Sequence, residues 1–116
     1  MKSILKNIDR EKALKLADLV AVQHGQVVSK TLLQNDAVSM TVFAFDKGEE
    51  IGAHDSDGDA MATVLEGSGL FVVGGREHAL KAGETIVMPA GVPHSIFATE
   101  PFKWFLVVAF PRETKR

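Results

Sequence analysis

Gly48-Glu-Glu-Ile-Gly-Ala-His54 and Gly83-Glu-Thr-Ile-Val-Met-Pro89-Ala-Gly91-Val-Pro-His94 decide how this chain folds. Each stretch opens on a glycine, runs through β-type residues and closes on a histidine. The glycines suit sharp chain reversals, and Pro89 with Pro93 stiffens the approach to His94. Between the two stretches, Gly74-Gly75 is the strongest hairpin signal, because glycine reaches the positive φ of a two-residue turn without strain. The reading is a small antiparallel barrel with one histidine on each of two strands.

The flanking sequence keeps a strand-like character. Val27, Val28, Thr31, Leu32 and Leu33 form a first run rich in β-branched residues, and Gln34-Asn35-Asp36 turns it. The segment 38–45 carries apolar residues on both of its faces, so both are expected to meet something apolar. Further strands are expected at 60–66, 70–73, 77–81, 84–88, 94–98 and 102–110. Short strands recurring with turn residues between them mean a sandwich or a barrel. Ahead of them, Asp9 suits a helix N-cap, and Ala13, Leu14, Leu16, Ala17, Leu19 and Val20 recur at helical spacing. A short helix is therefore expected over 9–20.

Composition narrows the function. At 116 residues the chain makes one domain, 1–116, with helix and first strand in 1–35, barrel core in 36–111 and a tail in 112–116. With no cysteine, disulfides, thiolate metal sites and cysteine nucleophiles are excluded; with no tyrosine, so is tyrosine-dependent acid–base chemistry. The net charge of -2 has no long basic block, which argues against nucleic acid; Lys103, Arg112, Lys115 and Arg116 read as solvated. No apolar run approaches the roughly 20 residues that cross a bilayer, and the first residues lack the apolar core of a signal peptide. No membrane association and a cytoplasmic location are expected.

On these motifs the sequence resembles the cupin superfamily in its small, single-domain form. The family's first motif is glycine, five residues, His-x-His, three or four residues, Glu, six residues, glycine. Gly48, His54 and Gly67 fall in register, whereas Ser56 stands for the second histidine and Ala60 for the glutamate. The second motif, glycine, five residues, Pro-x-Gly, two residues, His, three residues, Asn, is met by Gly83, Pro89, Gly91 and His94, with Ala98 replacing the asparagine. The resemblance covers about residues 36–110. It implies an all-β fold, the antiparallel jelly roll or double-stranded β-helix, and a homodimer in which the first strand (about 26–33) pairs across the subunit boundary. Val27 to Leu33 is apolar on both faces and would be a hazardous free edge in a monomer.

The resemblance also turns His54, Ser56, position 60 and His94 towards one site. In its relatives these positions hold a metal ion; here a divalent iron, manganese, nickel, copper or zinc would find two imidazoles. Asp57 or Asp59 supplies a third ligand if Gly58 breaks the strand's alternation; otherwise Asp55 to Asp59 is a solvated turn. Met40, Met88 and Trp104, with Ser56 and Ala60, are candidates to line a pocket, as are Met61, Phe97 and Phe105; each is equally suited to the core. His24 and His78 read as surface residues. Either of His54 and His94 also suits a metal-free general base. The function expected is binding of a small organic molecule in the barrel. The alternative is a metal-dependent oxygenase or isomerase using His54 and His94, and an interaction module is a third class.

Overall fold

The computed structural model describes residues 4–112. The expected tail, apart from Arg112, lies outside them. The strands are β1 (Val27–Gln34), β2 (Val38–Phe45), β3 (Glu50–His54), β4 (Asp59–Glu66), β5 (Ser68–Val73), β6 (Arg76–Lys81), β7 (Thr85–Met88), β8 (His94–Phe97) and β9 (Phe102–Ala109). They form a five-stranded sheet, β1-β2-β9-β4-β7, facing a four-stranded one, β3-β8-β5-β6, and every pairing is antiparallel. This is the expected all-β jelly roll. Gly74 and Gly75 make the β5–β6 turn with φ of 58° and 82°, the doubly positive geometry that the Gly-Gly pair announced.

The core lies between the sheets. Phe45, Ala60, Ala62, Val64, Met88, Phe102, Trp104 and Val108 face inward from the larger sheet, and Phe71, Leu80 and Ile96 from the smaller. Because β2 alternates, Phe43 and Phe45 reach this core while Val42 and Ala44 point the other way. There they form a second cluster with Val20 and Leu32, bordered by Ile8, Leu16 and Leu19. Both faces of β2 are thus apolar for different reasons.

The N-terminal segment supplies that outer cover, though not as the helix expected over 9–20. Only Leu16–Leu19 winds, as a single 3-10 turn, and Lys15 before it is extended. A helix of this length is marginal in isolation. The segment instead lies along the sheet, where the Lys6 amide donates to the Leu32 carbonyl (2.8 Å) and Asn7 Nδ2 to that of Thr31 (2.8 Å). Lys103 Nζ donates to the Ala17 carbonyl at 2.8 Å and keeps Glu66 Oε1 at 3.6 Å, fastening the turn to β9. Glu11 takes a left-handed φ of 57°, which stops a helix before Leu16. Among the described residues no helix is long and apolar enough to cross a membrane.

Strand β1 pairs with β2 of its own chain and ends the larger sheet, with a bulge between Thr31 and Leu33. The chain crosses from β4 of the larger sheet to β5 of the smaller through Gly67, whose φ is +74° and where an added Cβ would lie 2.5 Å from the Pro101 carbonyl oxygen. Gly83 shares the left-handed backbone, φ +91°, but a Cβ there meets nothing within 4 Å. Gly67→Ala is therefore expected to cost about 2–3 kcal/mol, roughly 8–12 °C in Tm, against about 1 kcal/mol for Gly83→Ala. Thermal unfolding of the two variants checks this; equal losses would contradict the backbone clash at Gly67.

Candidate functional site

His54 closes β3 and His94 opens β8, and the two are direct cross-strand partners. Their register is irregular. Ile51 also pairs with Ile96, so two residues of β3, Gly52 and Ala53, oppose the single Ser95 of β8 between the matched pairs. Strict alternation from the core-facing Ile51 would turn His54 outward; the extra residue at Gly52-Ala53 returns it to the inner face. The imidazole rings consequently meet edge to face, with centroids 4.4 Å apart and planes at 68°.

Each ring is oriented by its own strand. His54 Nδ1 lies 2.9 Å from the Gly52 carbonyl and His94 Nδ1 lies 3.2 Å from the Val92 carbonyl. A carbonyl only accepts, so each Nδ1 carries the proton and each Nε2 keeps its lone pair when the ring is neutral. His94 is 5 % exposed, the one polar side chain in the buried core of the described residues, whereas His54 stands at the exposed rim. Burial holds the His94 pKa below the ordinary histidine value, with His54 adding to the shift; the Val92 carbonyl and Asp55 oppose it. The pair is an acceptor couple at the mouth, one member inside and one at the edge.

The loops around the mouth are tied to each other. The Gly91 amide donates to the Ser56 carbonyl at 2.9 Å, the Gly58 amide to Ser56 Oγ at 3.1 Å, and the Ala90 amide to Asp59 Oδ1 at 2.9 Å. Ser56 and Asp59 thus brace the loop that delivers His94. Asp57 is exposed and lines a cleft of about 340 Å³ with Asn35, Asp36, Phe110 and Pro111. Neither aspartate joins the histidines. Among the described residues no three His, Asp or Glu side chains are grouped as a metal site. Catalytic zinc and non-haem iron take three protein ligands, so this donor set does not fit a resident catalytic ion.

Of the other candidates, Ala60, Met88 and Trp104 do face the interior. Met40 does not: it shares the face of Val42 and packs into the outer cluster, as does Phe105. Met61 and Phe97 are exposed. His24 is a surface residue 3.7 Å from Asp46 Oδ2. The carboxyl of Asp46 is held below its usual range by the amides of Gly25 and Lys47, aided by His24. His78, expected at the surface, is half-buried: it lies opposite Phe71 and lines a groove of about 590 Å³ between β6 and β7 with Leu80, Thr85 and Ile86. Counting back two residues from the core-facing Leu80 would have found it.

Comparison with known proteins decides the family. The model of the Cupin domain family matches residues 41–108. The chain is a cupin. No curated protein matches it. Among solved structures, it is similar to a conserved protein of unknown function from Streptococcus pyogenes (42% identity, TM-score 0.94, covering 97% of this chain and 98% of that one). It is also similar to a cupin superfamily protein from Desulfitobacterium hafniense (28% identity, TM-score 0.89, 94% and 100% covered). A third similarity is to a predicted oxalate decarboxylase from Thermotoga maritima (25% identity, TM-score 0.69, 75% and 83% covered). In this cupin, positions 56 and 60 of the first motif carry a loop-bracing serine and a buried alanine.

Proposed function

We propose that this cupin binds a small organic molecule at the mouth of its barrel, anchored by His54 and His94, with no resident metal ion. The observation that carries the reading is the histidine couple itself. Two rings meet at 4.4 Å, both Nδ1 atoms are spent on backbone carbonyls, and both Nε2 lone pairs are left for a ligand's hydroxyl or N–H. One ring is buried and one exposed, so the couple leads from solvent into the core. Small-molecule sites combine apolar walls with a few such placed polar groups. The alternative, a metal-dependent enzyme, draws on the similarity to the predicted decarboxylase, but here the metal would have only the two imidazoles.

A fragment screen of small phenols, alcohols and amides, read by the imidazole ¹⁵N signals of the full chain, tests the reading. Binders are expected to shift the His54 and His94 signals and to bind His54→Ala/His94→Ala at least about tenfold more weakly. Binders that leave those signals unmoved and hold equally to the double variant would overturn it.

We also propose that the chain is a homodimer through β1. Val27, 39 % exposed, and exposed Ser29 lie on the inner side of a strand that has no counterpart in the smaller sheet. A second copy would cover that face and the strand edge together. Light scattering is expected to give the mass of two chains, and Val27→Lys to give one; a wild-type monomer at micromolar concentration would sink this proposal.

A further inference from the structure

Two polar groups on the inner faces of the sheets lack a hydrogen-bond partner among the described residues. Trp104 Nε1 is sealed within the aromatic cluster of Phe43, Phe45 and Phe71. The imidazole of His78 stands instead in the open groove between β6 and β7, half-buried. It makes no hydrogen bond or ion pair among the described residues. A polar ring set among apolar neighbours in a groove is a contact point for whatever enters it.

The groove exists because two consecutive strands part company. β6 ends the smaller sheet and β7 ends the larger, so among the described residues no ladder joins them. The turn 82–84 connects them and is fixed from behind. The Ala82 amide donates to the Gly67 carbonyl at 3.1 Å and the Gly83 amide to that of Val64 at 2.8 Å. The space left between the edges, about 590 Å³, is of the size that small-molecule sites take. Leu80 walls it from one sheet and Ile86 from the other. β6 pairs with β5 without a bulge, so Arg76, His78 and Leu80 share one face, each about 7 Å from the next. Arg76 is exposed and has no ion pair or hydrogen bond among the described residues; Glu77 belongs to the opposite face. At the other end Glu84 borders the groove, its Oε1 accepting from the Lys81 amide at 2.9 Å. The hydroxyl of Thr85 is occupied by that of Thr63 at 2.8 Å. Along the groove the order is thus guanidinium, imidazole, hydrocarbon, carboxylate.

We propose that this groove is a binding site of its own, separate from the histidine mouth, for a straight-chain monocarboxylate of medium length. The carboxylate accepts from the His78 imidazole and the Arg76 guanidinium, and the chain lies between Leu80 and Ile86. Hydrogen bonds from a charged donor to a carboxylate are among the stronger ones in proteins. Seating the chain removes apolar area of ligand and groove from water together. Glu84 sets the direction and disfavours a second carboxylate at the far end of the chain, because like charges repel. The site does not depend on whether His54 and His94 hold a ligand.

Octanoate, octanol and the dicarboxylate suberate, titrated into the full chain labelled with ¹⁵N, test the proposal. Octanoate is expected to shift the amides of residues 78–80 and 84–86 and the His78 imidazole, and to saturate. Octanol has the same chain without the charge and should bind about fivefold more weakly, with suberate no tighter than octanol. In Arg76→Gln/His78→Ala, octanoate should fall to the affinity of octanol. The wild-type ranking holds whether or not that variant folds. Equal binding of octanoate and octanol, or an octanoate affinity unchanged in the variant, would overturn the proposal. Suberate bound as tightly as octanoate would overturn it as well. So would shifts centred elsewhere on the barrel, or no shift from octanoate at all.

Discussion

The indole of Trp104 holds two unequal sheets together. It stands on β9, the middle strand of the larger sheet, stacks on Phe43 of β2, and receives Phe71 of the smaller sheet edge-on at 5.3 Å. Phe45 and Phe102 complete the cluster. Aromatic pairs of this offset and edge-to-face kind add to the large apolar area each ring buries. Truncating such a side chain commonly costs about 3–5 kcal/mol, a large share of a small domain's stability. Everything nearer the mouth is built on this packed floor.

On that floor the mouth is shaped by backbone rather than by charge. One extra residue in β3 rotates His54 inward, and a proline-bounded loop places His94 across from it. Loop-to-loop hydrogen bonds through Ser56 and Asp59 hold the arrangement. These two residues stand in the loop where a metal-binding relative would be searched for further ligands, yet here they act as braces. The consequence is a mouth that offers two imidazole lone pairs, with Asp57 and Asp59 engaged elsewhere.

Much of this was legible in the sequence, for identifiable reasons. The segment 38–45 and the Gly74-Gly75 turn were read correctly, because period-two patterning and positive-φ chemistry are local properties. The histidines were found through motif spacing, but not their geometry, since a bulge leaves no mark in the residue pattern beyond a glycine. Met40, left open between pocket and core, packs into the outer cluster, because β2 is apolar on both sides and alternation cannot say which side faces the other sheet. The helix expected over 9–20 was lost to tertiary contacts: Leu16, Leu19 and Val20 do form an apolar stripe, but one laid on a sheet through backbone bonds to β1. The unpaired Trp104 nitrogen has no sequence signal at all, because it depends on what every neighbouring side chain fails to supply.

The central claim is that the histidine pair anchors an organic molecule rather than a metal ion. It is tested most directly by elemental analysis of tag-free protein, purified without chelator and dialysed against zinc, iron or manganese, beside His54→Ala/His94→Ala. The account predicts metal far below one ion per chain in the wild type and no difference between the two proteins. Near-stoichiometric metal in the wild type, lost in the double variant, would contradict it.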